Sequence, residues 1–334
     1  MYDLAIIGAG PVGLAAAIEA KRAGLEGVLL EKGTLLETIY RWPRETIFFS
    51  EAKNLEIGGH PFPSLTPKPT RREALQYYRR VAEVEGLEVW TYTEVTGLAG
   101  HEGNFTVRYH NREGEGRLLA RFVLVATGYY GNPNRLGVPG EDLPHVRYGI
   151  EETLPYWSRE VVVLGGSNSA VETALDLYRG GARVTVVHRD PEIRPSVKYW
   201  LKPDFENRVK EGSIRLILNA EVREITPTEV IVERRAPGSG HPNEGRLGVR
   251  ADFVIVLIGY RAVDRLLREA GARFGGEDEA PVLSEAFETS IPGLFVAGSA
   301  GFGNDTRTVF IENGREHAKV AVAEIARRAQ AVRR

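Results

Sequence analysis

The chain has 334 residues, too many for a single core, and its 43% apolar content is ample for about two domains. A formal net charge of −2 leaves no basic field to displace counterions from nucleic acid, and the absence of cysteine excludes disulfides, thiolate metal sites and any Cys-x-x-Cys redox pair. No apolar run approaches the roughly 20 residues needed to span a bilayer and no basic leader precedes the first strand, so a cytoplasmic chain without membrane, nucleic-acid or metal partners is expected.

Leu4 to Ile7 is an apolar run of strand length that leads into Gly8-Ala9-Gly10-Pro11-Val12-Gly13. Leu14 to Arg22 then carries alanine-rich helical spacing, and Val28-Leu29-Leu30 resumes a strand, which makes a βαβ unit. Gly8 suits the tight turn, Gly10 the approach of backbone to a pyrophosphate, and Gly13 the close packing of helix on strand. The helix N-terminus offers free N–H groups and a positive dipole end to phosphates. Glu31 ends the second strand, where an acidic side chain accepts from ribose hydroxyls, with Lys32 beside it.

The loop that follows bears Tyr40, Arg41 and Trp42, then Ile47-Phe48-Phe49-Ser50. These aromatics either lie against a flat ring or anchor the loop, and the residues alone leave both open. Arg71 to Glu85 reads as an amphipathic helix, with Leu75, Tyr78, Val81 and Ala82 on one side. Strands are expected at Glu88 to Tyr92, Phe105 to Tyr109 and Arg121 to Ala126, the last running into the small-residue turn Ala126-Thr127-Gly128. Between residues 129 and 150 the composition shifts to Gly, Pro and Asn, as at a crossing between domains.

A second βαβ unit opens with Val161 to Leu164, the loop Gly165-Gly166-Ser167-Asn168-Ser169-Ala170, a helix from Val171 to Tyr178 and a strand from Val184 to Val187. Here His188-Arg189 replaces the acid. Arg189, with Arg194 close behind, would hold a 2′-phosphate that an acid would repel, which favours NADP over NAD; two surface arginines at a turn are the plainer alternative. A short helix is expected at Pro203 to Lys210, a strand at Ile214 to Leu218, a hairpin over Val222 to Arg234 and a Pro/Gly-rich loop over Ala236 to Gly248. Phe253 to Ile258 is a buried strand ending at Gly259-Tyr260, and Leu294 to Val296 is another, ending at Ala297-Gly298-Ser299. Gly303-Asn304-Asp305 leads into a helix expected to run to about Arg328.

Two such units imply two dinucleotides. The fold class is α/β, with two Rossmann-like domains. The first needs more strands than its N-terminal part supplies, so the Leu294 strand should return to it. That makes a discontinuous domain of residues 1–137 and 260–334, with residues 138–259 inserted.

At this level the chain resembles the flavoprotein reductases related to low-molecular-weight thioredoxin reductase. Longer stretches bring it nearer to the YpdA family of bacillithiol-disulfide reductases: Glu31-Lys32-Gly33, Phe48-Phe49-Ser50, Leu55-Glu56-Ile57-Gly58, Lys68-Pro69-Thr70-Arg71, Gly303-Asn304-Asp305 and Phe310-Ile311-Glu312-Asn313-Gly314. The resemblance implies FAD on the first fold and NADPH on the second, with hydride passing from NADPH to FAD and two electrons to a small-molecule disulfide, in a homodimer. It implies FAD contacts at Gly8, Ala9, Gly10, Pro11, Gly13, Glu31, Lys32, Tyr40, Trp42, Phe49, Ser50, Val95, Ala126, Thr127, Gly128, Gly298 and Ser299. For NADPH it implies Gly165, Gly166, Ser167, Asn168, Ser169, Glu172, His188, Arg189, Arg194, Gly259 and Tyr260.

Two positions depart from the resemblance. Val12 stands where the family commonly has a cysteine, and Ser299 where the wider class has an acid. A thiolate relay inside this chain is therefore impossible. That leaves room for an NADPH oxidase or diaphorase, a ferredoxin-type reductase, or a flavin-holding redox sensor with little turnover. The helix starting near Asn313 is expected to point its positive end at the flavin. His317, one turn inside it, is a candidate proton source, or a merely packed ring. Glu172 is either a contact to the nicotinamide carboxamide or a helix-surface carboxylate.

Overall fold

A computed structural model describes residues 1–235, 242–262, 265–304 and 308–333. The chain forms two compact units, Met1–Asn132 with Tyr260–Arg334, and Pro133–Gly259. The first opens with β1 (Tyr2–Ile7), α1 (Pro11–Arg22) and β2 (Gly27–Leu30), followed by the single-turn α2 (Glu37–Tyr40) and by α3 (Arg71–Glu85). Thr70 caps α3 with a reciprocal capping box to Glu73, and Gly86 ends it in the left-handed region. Then come β3 (Val89–Trp90), β4 (Glu94–His101), β5 (Asn104–Asn111) and β6 (Gly114–Val125).

The inserted unit holds β7 (Val146–Arg147), β8 (Glu160–Leu164), α4 (Asn168–Arg179), β9 (Arg183–Val187), α5 (Lys202–Lys210) and β10 (Ile214–Ile217). Three antiparallel strands follow, β11 (Ala220–Ile225), β12 (Glu229–Arg235) and β13 (Pro242–Arg250), and then β14 (Phe253–Val256). The parallel order is β10-β9-β8-β14-β7. Alternation along the strands feeds both faces. Val161, Val163, Val184, Val186 and Ile255 pack under α4, while Val162, Leu164, Val187, Val254 and Val256 pack against Val230, Val232 and Val249 of the antiparallel sheet.

The chain returns to the first unit through α6 (Arg265–Glu269), the short pair β15 (Phe274–Gly275) and β16 (Ala280–Pro281), β17 (Leu294–Val296) and α7 (Ile311–Arg333). β17 pairs in parallel with the end of β6, Leu294 opposite Val123, so the expected return of this strand is present. The sheet runs β3-β2-β1-β6-β5-β4, with β17 alongside β6. Long β6 serves two partners: its first half pairs antiparallel with β5 and its second half parallel with β1. Helices α1, α3 and α7 cover one face through a core that includes Leu14, Ile18, Tyr78, Ala318, Ala321 and Ile325. Ile7, Val123, Leu267 and Val296 fill the other.

Two local expectations need correction. β4 was not anticipated, because Gly97 and Gly100 interrupt its alternation; pairing with β5 and burial of Val95 and Leu98 hold it extended. The stretch expected as a loop from Ala236 to Gly248 is strand β13 from Pro242 onward, stabilised by its register with β12 rather than by its own composition; residues 236–241 lie outside the described residues, as does Asp305.

Candidate functional site

The first groove lies at the C-terminal ends of β1, β2, β6 and β17. Gly8 has φ +106, and a Cβ there would stand 2.6 Å from the Ala126 carbonyl oxygen; one at Gly13 would stand 2.0 Å from the Gly8 carbonyl oxygen. These glycines let α1 seat closely on the strand end. Gly10 differs, since a Cβ there meets nothing within 4 Å and would project into open space. The helix begins with Pro11 at its first turn and no side-chain cap, which leaves its first amides for an anion. Glu31, buried at 8% exposure, accepts from Ala9 N–H at 2.9 Å and from Gly33 N–H at 3.0 Å, so its carboxylate is fixed beside the loop. Lys32 is exposed next to it.

The other lip is the turn at residues 126–131. Ala126 N–H donates to Ile7 O at 2.8 Å, and Gly128 (φ +68) faces the Ser299 hydroxyl. Thr127 Oγ1 is buried with no partner among the described residues. Gly298, with φ +70, is packed by the methyl groups of Val12, which also touch Gly314 in the first turn of α7. Val12 therefore fills a slot between two glycines. α7 starts at Ile311, and Asn313 closes its entry by accepting from Phe310 N–H and donating to Thr308 O, both at 2.7 Å. Ser50 donates to Glu312, and Arg315 to the Glu56 carbonyl, which fastens the 50–56 segment to this helix start.

The remaining predicted first-groove residues divide by environment. Trp42 packs on Phe48 at 5.1 Å and edge-on to Tyr130 at 5.8 Å, whereas Tyr40 is exposed under the Arg71 guanidinium and Phe49 is also exposed. Val95 spends its side chain in the core of the second sheet face. Tyr260, expected beside the second loop, belongs to the first unit, where its ring stacks on Tyr130 at 4.6 Å. Tyr129 and Tyr130, which directly follow Ala-Thr-Gly, were not singled out from the sequence, and both rings lie against Tyr260. His317 lies between the rings of Phe287 (4.2 Å) and Phe302 (5.6 Å) with Nδ1 buried and unpartnered among the described residues. Burial lowers its pKa.

The second groove repeats the plan in the inserted unit. Gly165 has φ +139, and a Cβ there would stand 2.3 Å from the Leu257 carbonyl oxygen. Ser167 begins α4 with no side-chain cap, again leaving free amides. Arg194 N–H donates to Gly166 O at 3.0 Å, and Asn168 Oδ1 accepts from Lys198 N–H at 2.8 Å, so the 194–198 segment folds over the loop. His188 is buried against Gly166 with Nε2 3.3 Å from an Asp190 carboxylate oxygen, and burial lowers its pKa. Arg189 and Arg194 are the exposed cations here, while Ser169 and Gly259 line the loop and strand ends. Glu172 is half-buried on α4, and burial, then the Asp176 charge, raises its pKa.

Both grooves fit a dinucleotide: each is a cradle of glycines that a Cβ would fill or a neighbour would forbid, opened by an uncapped helix. Among the described residues no group of His, Asp or Glu is placed to hold a metal, and no helix is long and apolar enough to cross a membrane.

The family model described as pyridine nucleotide-disulphide oxidoreductase matches residues 5–298. The chain is 39% identical over 324 residues, 97% of each sequence, to the bacilliredoxin reductase Bdr of Bacillus subtilis. Among solved structures it is similar to the bacillithiol disulfide reductases Bdr (YpdA) of Bacillus cereus (38% identity, TM-score 0.92, 98% and 99% of the two chains) and of Staphylococcus aureus (36%, 0.90, 98% of each). With this coverage and these two cradles, the chain belongs to the pyridine nucleotide-disulphide oxidoreductase family, as a YpdA-type flavoprotein reductase whose cofactors are FAD and NADPH.

Proposed function

We propose that this protein reduces a low-molecular-weight disulfide of the bacillithiol type with NADPH. NADPH, one proton and the disulfide become NADP⁺ and two thiols, with one S–S bond broken and two S–H bonds formed. The observation that carries the reading is the difference between two otherwise similar cradles, one ending in buried Glu31 and the other in exposed Arg189 and Arg194. The carboxylate suits the ribose hydroxyls of FAD, and the guanidiniums suit the 2′-phosphate of NADPH. Bound FAD supplies the two-electron chemistry that links nicotinamide to disulfide.

The chain's own residues bind and orient. The amides at the starts of α1 and α4 hold the two pyrophosphates, and Gly10 and Ser167 keep backbone close to them. Asn168, fixed by Lys198, and the half-buried Glu172 orient the nicotinamide end. The start of α7, beside Gly298 and Ser299, presents its positive end to the flavin. With no cysteine in the chain, no thiol relays electrons between FAD and the acceptor, so the disulfide must reach the flavin itself. The same reading takes the enzyme to be a homodimer in the cytoplasm, and light scattering checks the assembly.

The test is anaerobic. NADPH bleaches the visible flavin band, and the reduced protein is then mixed with bacillithiol disulfide, with oxygen, or with oxidised ferredoxin. Fast return of colour with the disulfide is expected. Indifference to the disulfide, with rapid return on oxygen or ferredoxin, would replace this reading by an oxidase or a ferredoxin reductase.

A further inference from the structure

Tyr130 and Tyr260 stack at 4.6 Å and 19°. Tyr129 lies 6.1 Å from Tyr260, and Trp42 approaches Tyr130 edge-on. Three separate pieces of chain thus bring aromatic rings together: the loop after β2, the turn after β6, and the point where the chain re-enters the first unit. The three tyrosines pack into neither apolar core of that unit, whereas Tyr77 and Tyr78 do. All three are half-buried rather than sealed.

Their place along the groove is set by backbone. Ala126 abuts Gly8, Gly128 faces the Ser299 hydroxyl at 3.8 Å, and Gly131 faces the Lys32 ammonium at 3.7 Å, each measured from a Cβ built on the glycine where the contact is to a side chain. Residues 126–131 therefore form one lip of the first groove, with the tyrosines on it. Burial raises the pKa of Tyr129 and Tyr260, so both stay neutral phenols.

We infer that Tyr129, Tyr130 and Tyr260, backed by Trp42, form an aromatic wall in contact with the isoalloxazine ring of FAD; this rests on the first groove being the FAD site. Electron-rich phenol and indole rings pack favourably on an electron-poor heterocycle, and offset or edge-on contact is their preferred geometry. Tyr260 thereby serves the flavin rather than NADPH, and it does so from the residue at which the chain rejoins its first unit.

Contact is read by flavin fluorescence. A phenol or indole touching the excited flavin donates an electron and recovers it within the pair, which shortens the fluorescence lifetime; phenylalanine does not. Wild type, Tyr130→Phe, Tyr260→Phe, Trp42→Phe and the triple variant are loaded with FAD and compared at equal occupancy, with Tyr2→Phe, at the opposite end of β1, as the control. The lifetime is expected to lengthen severalfold in the triple variant, to lengthen partly in Tyr130→Phe or Tyr260→Phe, and to stay unchanged in Tyr2→Phe. A triple variant with the wild-type lifetime, or a control that lengthens equally, overturns the inference and leaves the FAD site standing. A protein that takes up no FAD overturns both.

Discussion

Two alanine substitutions in one loop separate the glycine that the fold needs from the glycine that the cofactor needs. At Gly13 a Cβ would stand 2.0 Å from the Gly8 carbonyl oxygen, a backbone atom that cannot swing aside, so α1 must move off β1. Overpacking of this kind costs about 1–3 kcal/mol. For a domain the size of the first unit that is a fall in Tm of several degrees, since about 1 kcal/mol corresponds to roughly 2–4 °C. At Gly10 the backbone has φ −78 and ψ −179, which alanine adopts freely, and a Cβ meets nothing within 4 Å. The cofactor-free protein should therefore be as stable as wild type, or gain the roughly 0.4–1 kcal/mol expected from a less flexible unfolded chain.

With FAD the order changes. The new methyl at position 10 stands where a pyrophosphate must approach, and losing one charge-assisted N–H contact costs about 1.5–3 kcal/mol, at least about tenfold in Kd. Calorimetry on protein stripped of FAD gives the first quantity, and FAD titration followed by flavin fluorescence gives the second. A Gly10→Ala protein that binds FAD like wild type, or a Gly13→Ala protein as stable without FAD as wild type, would refute the assignment of roles.

Glu31→Gln keeps shape but turns an N–H₂ donor toward Ala9 or Gly33 N–H; the stripped protein should lose about 1 kcal/mol and FAD affinity a further tenfold or so, measured as above, and equal affinity would remove the ribose role. Arg189→Ala should raise KM for NADPH about tenfold and leave NADH nearly unchanged, because only NADPH carries the 2′-phosphate; equal losses in steady-state assays would count against it. Glu73 has its pKa lowered from 4.5 to about 2, first by the Thr70 N–H and then by Leu65 N–H. A carboxyl depressed in the folded state contributes stability that is full above 4.5 and lost as the pH falls toward 2, here about 1 kcal/mol after allowing for solvent screening. Glu73→Gln should flatten that part of the acid-unfolding profile, and an unchanged profile would show the capping box to be inert.

Much was legible from residues alone, for a local reason. The loops Gly8 to Gly13 and Gly165 to Ala170, the strand-end Glu31 and Arg189, and the capped helix at Arg71–Glu85 each state their geometry within a few neighbouring residues. Backbone sterics, a dipole and a capping side chain act over one turn, so a reader of the chain meets cause and effect together. The likeness of long stretches such as Phe310 to Gly314 added the cofactors.

Tertiary structure alone decided what depends on distant partners. β13 exists because β12 lies beside it, and β4 because β5 does. His188 and His317, polar in the sequence, are packed against Gly166 and between two phenylalanines, and burial lowers the pKa of both. Tyr260 follows a strand of the inserted unit yet stacks on Tyr130, some 130 residues earlier in the chain. Burial and ring contacts across such separations are properties of the folded surface, and no short window of sequence contains both members of the pair.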